Sequence, residues 1–336
     1  MRGFHRWLQR VWYEGDKSGL ILLPLSGLYW LIITVRSLLY RYEVLKTHAA
    51  PAPLVVVGNV TAGGTGKTPT VLWLVEELRA RGLTPGIVSR GYGGSRSGTS
   101  MRVDPDSDAA VVGDEPVLLA RRGQCPVAVD ADRIRAAEML VEDGVDVIIA
   151  DDGLQHRRMQ RDFEICVVDG ARGLGNRRLL PAGPLRESPR RLDHIDLVLI
   201  NGGERGTPAY RFELLANEAS RLNGSLSRAL QGFRGKTVHA VAGIGNPQRF
   251  FDLLRSHGIQ VIEHSFPDHA PIAKADIVFA DDFDVFMTEK DAVKLGRSLP
   301  DKYWFVAVDF AMDADISNAL IERIVLRMQH VDTKDA

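Results

Sequence analysis

The run GNVTAGGTGKTP, residues 58–69, holds the groups best suited to phosphate chemistry. Gly63, Gly64 and Gly66 free the backbone to wrap a phosphate chain with its N–H groups turned inward. Lys67 can then reach the β- and γ-phosphates, and the Thr68 hydroxyl is suited to Mg²⁺. The usual pattern opens on glycine, whereas here the first position is Thr61. Thr61, Ala62, Gly63, Gly64, Thr65, Gly66, Lys67 and Thr68 are therefore read as a nucleotide-binding P-loop.

Two carboxylate pairs accompany it. VDVIIADDGLQH ends an apolar run on Asp151 and Asp152, the pattern of the strand that supports Mg²⁺ behind a P-loop. A single strand-end acid could equally cap a helix; a pair in this context points to a cation. His156, in the same loop, suits either phosphate contact or plain hydrogen bonding. VVGDEP supplies Asp114 and Glu115, which also read as a turn opening a helix with Pro116 in its first position. Arg172 to Arg191 carries six arginines, one acid, three prolines and three glycines. That composition makes a loop; a solvated surface loop is the plain reading of such a charge run, and a rigid Pro/Gly-shaped one could also clamp phosphate. The stretch has no aromatic residue for base stacking, so no nucleic-acid partner is expected.

These groups need a scaffold that gathers strand ends. Short apolar runs at 54–57, 85–89, 145–150, 164–168 and 196–200 each end in a polar cluster. Helical stretches separate them, so they predict a mostly parallel α/β sheet covered on both faces. Ligands of such sheets bind at the C-terminal strand ends. A fresh α/β pattern begins near Gln231, with strands expected at 237–242, 259–263, 285–288 and 304–308 and helices at 247–257 and 316–328. G-I-G-N-P (243–247) lacks the third glycine of a dinucleotide fingerprint. T-E-K-D (288–291) has its lysine one place late for guanine recognition. The expected organisation is an N-terminal membrane-associated segment (1–48), a P-loop domain (49–228), a smaller α/β domain (229–312) and a C-terminal helix (313–336) that packs back on the first domain.

Composition conceals a segregation. The 336 residues contain 42 Lys+Arg and 43 Asp+Glu, and two cysteines that fit a reducing compartment. Yet the first 50 residues hold seven Lys/Arg against three Asp/Glu, and Ser18 to Val35 has no charge. Eighteen uncharged residues lie at the lower limit of a spanning helix. Basic flanks and the aromatics Trp7, Trp12, Tyr13, Tyr29 and Trp30 favour an interfacial anchor. Pro24, Ser26 and Gly27 weaken a full span, and a buried helical hairpin is the plain alternative.

Taken in order, GNVTAGGTGKTP, SRGYGG, VGDEP, DDGLQH, LLPAGPLRE, FPDHA and MTEKDAVK resemble the tetraacyldisaccharide 4'-kinase family of lipid A biosynthesis, from the N-terminal helix to about Lys294. The resemblance implies transfer of phosphate from ATP to the 4'-hydroxyl of a tetraacylated glucosamine disaccharide 1-phosphate, an anionic glycolipid, giving lipid IV-A. It implies work at the cytoplasmic face of the inner membrane. It also implies Lys67 as a catalytic residue, Asp114 as base and His269 of FPDHA as its orienting partner. Thr68, Glu115, Asp151 and Asp152 would serve Mg²⁺, and Arg90, His156 and Arg186 the phosphate or disaccharide. Since Asp114 and His269 fall in different halves, the pair implies closure of a cleft. Partitioning ATPases carry a lysine where this chain has Ala62, and metallochaperone GTPases carry a His/Cys tract that is missing here. The joint presence of P-loop, acid pairs and arginine loop argues against a purely structural module.

Overall fold

The computed structural model describes residues 2–95, 98–203, 210–268, 270–296 and 299–332. Two helices come first, α1 (Arg2–Tyr13) and α2 (Leu23–Arg41). Pro24 lies in the first turn of α2, where a missing N–H costs nothing. It therefore starts the helix and does not interrupt it.

The main sheet takes β1 (Leu54–Gly58), β2 (Pro85–Ser89), β3 (Met101–Arg102), β4 (Val127–Val129), β5 (Val147–Asp151), β6 (Phe163–Asp169), β7 (Leu197–Asn201) and β8 (Tyr210–Leu215). Between them run α3 (Lys67–Ala80), α4 (Ala109–Val112), α5 (Asp114–Gly123) and α6 (Arg133–Glu142). The second sheet uses β9 (Glu218–Arg221), β10 (Ser227–Ala229), β11 (Thr237–Ala242), β12 (Gln260–Ser265), β13 (Asp284–Thr288) and β14 (Tyr303–Val306), with α7 (Pro247–Ser256) and α8 (Glu289–Leu295). Then β15 (Asp309–Ala311) returns to the main sheet beside β8, and α9 (Ala314–Asp332) follows.

The main sheet runs β15-β8-β7-β6-β1-β5-β2-β4-β3. β1 is parallel to both β5 and β6, so the strand order reverses beside the P-loop strand, where a crevice opens. All five residues of β1 are buried, because their alternation serves two cores. Val55 and Val57 join the core under α3 and α9, while Leu54 and Val56 join the one under α6. In α3, Val71, Leu74, Val75 and Leu78 are buried, each worth about 1.5–3 kcal/mol. α9 seats Leu320, Ile321 and Ile324 in the same core, and Trp73 of α3 donates to Ser317 at 3.0 Å. The second sheet, β10-β9-β14-β13-β11-β12, begins at Glu218. The chain thus changes sheets twice, across residues 216–217 and again across 307–308. Burial pushes the Cys125 and Cys166 thiols up to about 12, so both are inert apolar groups.

Candidate active site

A cleft of about 1110 Å³ opens at the C-terminal ends of β1 and β5. The P-loop, Arg90, Glu115, Asp151, Asp152, His156 and Arg186 line one side; Gly245, Arg249, Asp268 and Lys290, from the loops and helices of the second sheet, line the other. Tyr29 and Arg36 of α2 complete its wall.

The loop after β1 is shaped by its own contacts. Thr61 bridges to Leu185, and the Ala62 amide donates to the Pro184 carbonyl at 2.7 Å. The first motif position is thus extended backbone paired to a neighbouring segment, which explains why it accepts threonine. The Asn59 amide donates to the Gly63 carbonyl at 3.1 Å. Gly66 is left-handed (φ +105°), and a Cβ there would meet the Asn201 side chain at 2.8 Å. Both conditions demand glycine. The amide of Asn201, at the end of β7, donates to the Thr65 carbonyl at 2.9 Å, and its oxygen accepts from Arg249 of α7 at 2.7 Å. Asn201 therefore supports the P-loop from below.

The acids differ in their surroundings. Lys67 Nζ lies 3.7 Å from Asp152, and Arg186 binds the same carboxylate at 3.1 Å. Burial alone would raise Asp152; Lys67 and Arg186 hold it down at about 2. Asp151 is fully buried, and burial followed by the charges of Glu115 and Asp152 pushes it up to about 7. Its Oδ1 has no hydrogen-bond partner. A buried carboxylate with an orphaned oxygen, raised by neighbouring acids, is what a hard cation would relieve. Half-buried Glu115 is nonetheless kept below its usual range by Lys290, 2.9 Å away, and by Lys67. Among the described residues, no three His, Cys, Asp or Glu side chains converge on one point. That fits Mg²⁺, which takes one or two carboxylates and leaves other positions to water and phosphate.

Asp114 opens α5 and accepts from the Glu115 amide at 3.0 Å. Its other oxygen is 3.7 Å from Lys294, which donates to Asp291 at 2.9 Å and to the Ala270 carbonyl at 3.2 Å. Asp291 in turn accepts from the Gly243 amide and from Thr288 Oγ1. The T-E-K-D segment is thus a clasp that presents Lys290 and Lys294 to the acids of α5. His269 lies outside the described residues. His156 Nε2 is buried without a partner, and burial plus Arg133 and Arg161 push the imidazole down to about 4.

Several arginines of the 172–191 loop turn inward. Arg172 reaches the Gly245 carbonyl at 3.4 Å and stacks over Tyr13; Arg191 pairs with Glu164. Arg133 was not picked out from the sequence, although it is buried and donates to the main-chain carbonyls of Asp151 and Asp152 at 3.0 Å each. A lone arginine at a helix start gives no local signal of that role. Lys290, Lys294 and Arg249 were missed for a different reason: their partners lie on the other sheet.

A family model described as tetraacyldisaccharide-1-P 4'-kinase (LpxK) matches residues 18–325. Similar proteins include the tetraacyldisaccharide 4'-kinases of Aromatoleum aromaticum (47% identical, covering 95% of this chain and 96% of that one) and Nitrosococcus oceani (43%, 99% and 99%). A crystal structure titled as an "apo" form of LpxK from Aquifex aeolicus in complex with ATP superposes with a TM-score of 0.76. It is 28% identical and covers 92% of this chain and 99% of that one. With the P-loop, the acid pairs and the second sheet all inside the matched region, the chain belongs to the tetraacyldisaccharide 4'-kinase family.

Proposed function

We propose that this protein is an ATP-dependent lipid kinase. It transfers the γ-phosphate of ATP to the 4'-hydroxyl of a tetraacylated glucosamine disaccharide 1-phosphate in lipid A biosynthesis. The observation that carries this reading is the family match over residues 18–325 together with a cleft in which the P-loop and Glu115, Asp151 and Asp152 share one wall.

Phosphoryl transfer asks for alignment and neutralised charge more than for a strong base. The amides of Gly63 to Thr68 and the N-terminus of α3 would cradle the phosphates, with Lys67 on the transferring group. Thr68, Asp151 and Glu115 are the residues we assign to Mg²⁺, which supplies charge neutralisation on the phosphate oxygens when bound. Asp152 is held by Lys67 and Arg186, so its part is to fix those cations. Asp114 would accept the proton of the attacking hydroxyl, oriented by His269 as the resemblance implies. Arg90, Arg186 and neutral His156 would face the disaccharide or its phosphates. Leu25, Leu28, Leu31, Ile32 and Val35 point outward from α2 and are exposed, which supports contact with a membrane surface; the family resemblance makes that surface the cytoplasmic face of the inner membrane.

The test is transfer of label from γ-³²P-ATP to the tetraacylated disaccharide 1-phosphate in detergent. Labelled lipid is expected; protein-dependent ATP hydrolysis with none would refute the reading.

A further inference from the structure

α2 has two unlike faces. Ser26, Tyr29, Ile33, Ser37 and Tyr40 recur at three- and four-residue steps and are shielded, whereas the apolar residues between them are exposed. The shielded stripe runs most of the helix length. Ser26 Oγ donates to the Leu179 carbonyl and accepts from the Ala182 amide, both at 2.9 Å. Arg157 binds Ser37 Oγ at 2.5 Å. The helix therefore lies along the body and does not stand away from it.

Two hydrogen-bonded runs lead from α2 to the P-loop, one from the stripe and one from Arg36 beside it. In the first, Tyr29 Oη donates to the Arg186 main-chain carbonyl at 2.9 Å, while the Arg186 amide donates to the Val60 carbonyl at 2.7 Å. The Arg186 backbone is thus held from both sides, and its guanidinium binds the Asp152 carboxylate that also faces Lys67. In the second, Arg36 donates to the Gln155 carbonyl at 3.2 Å; the Gln155 side chain donates to the Asn59 carbonyl at 3.0 Å, and Asn59 binds Gly63. The segment carrying Arg186 is rich in Pro and Gly and has no regular ladder to fix a peptide plane. Burial raises the Tyr29 phenol above its usual value, so it remains a protonated donor at neutral pH.

We propose that Tyr29 is a positioning residue: by anchoring the Arg186 carbonyl it sets the guanidinium that holds Asp152 against Lys67, so phosphoryl transfer requires α2 to be seated on the body. The inference rests on the kinase reading above. α2 is then a structural wall of the reaction cleft, whatever its outer face does at a bilayer.

The test is Tyr29→Phe, which keeps the ring and removes only the hydroxyl. Loss of one hydrogen bond at this point predicts a fall in kcat of about tenfold. KM for ATP and for the lipid should stay within about twofold, as should co-sedimentation with phosphatidylglycerol vesicles. In an Arg186→Lys background, where no guanidinium remains for the anchor to orient, the same change should cost less than about twofold, because the two residues act in series. A Tyr29→Phe kcat within twofold of wild type overturns the inference. So does an undiminished loss in the Arg186→Lys background, or a loss that follows vesicle binding. Wild-type protein that labels no lipid sinks the kinase reading as well; normal wild-type transfer with an unaffected variant sinks this inference alone.

Discussion

Replacing Asn201 by alanine separates two roles that a strand-end asparagine can play. Asn201 is 1% exposed and makes two bonds, to the buried Thr65 carbonyl and to Arg249. Arg249 is partly exposed and keeps Asp169 at 3.8 Å, so its lost bond is largely replaced. The Thr65 carbonyl has no such substitute, and leaving it unmatched costs about 1–3 kcal/mol. The cavity under Gly66 adds mobility to the residue that starts α3. Taking about 2 kcal/mol as the cost to the phosphate-binding conformation gives roughly a 30-fold weaker Kd. Because the effect passes through the loop, ATP, GTP and inorganic triphosphate should all weaken by the same factor, measured by calorimetry or by competition with a fluorescent nucleotide. If Asn201→Ala bound triphosphate normally but lost preference for ATP over GTP, Asn201 would be a base reader and the reasoning here would be wrong.

Three further outcomes are expected. Asp114→Asn should lower kcat by at least about 100-fold while ATP affinity changes little, the pattern of a lost general base; near-normal turnover would remove Asp114 from that role. Gly245→Ala would place a Cβ 2.8 Å from the Gly64 amide, so kcat/KM for ATP should fall about tenfold, checked by steady-state kinetics across ATP concentration. The third concerns pH. Asp151 has a raised folded value near 7, so its ionised form, the one a cation needs, is depleted as pH falls. Mg²⁺-dependent nucleotide binding should weaken about tenfold from pH 8 to pH 6 relative to Asp151→Asn, with proton release on binding. For stability the sign is opposite: a raised carboxyl favours folding at low pH, and that contribution fades as pH rises from about 4 through 7. Equal pH profiles for the two proteins would show that Asp151 does not titrate there.

Much of this architecture was legible because periodicity and punctuation agree. The strands β1, β2, β6, β7, β11 and β13 are buried apolar runs, and each was expected within a residue or two of its observed bounds. β10 is a short polar strand, SRA, exposed throughout, and β8 and β15 form a half-exposed antiparallel edge. No alternation marks such strands, since only pairing makes them. The second sheet starts at Glu218, eleven residues before the domain boundary expected at 229. Within the site, the P-loop and both acid pairs stand out by motif, and Glu115, Asp151 and Asp152 line the same cleft as the P-loop. Which acid is clamped and which is orphaned was not legible. Asp151 and Asp152 are adjacent and chemically identical, and only the direction each side chain takes from the end of β5 gives one to Lys67 and Arg186 and leaves the other with an unmatched oxygen. A strand-end asparagine carries no local signal of its role, and the position of Asn201 under Gly66 depends on β7 lying two strands from β1.

The two places where the chain changes sheets have a mechanical consequence. Each crossing is two residues long, Ala216–Asn217 in one direction and Ala307–Val308 in the other. Both are tied: the Leu230 amide donates to the Asn217 carbonyl at 2.8 Å, and Arg122 donates to the Val308 carbonyl at 2.9 Å. A body joined by one flexible linker can tumble about three axes. One joined by two short linkers that lie side by side, with Asp309 opposite Leu215 and Val306 opposite Ala219, swings most easily about the line that crosses them both, like a door on two hinges. Movement of the second sheet relative to the P-loop is thereby directed mainly along one swing. Gly245, Arg249, Lys290 and Lys294 must then approach or leave their partners together, in fixed proportion to their distance from that line.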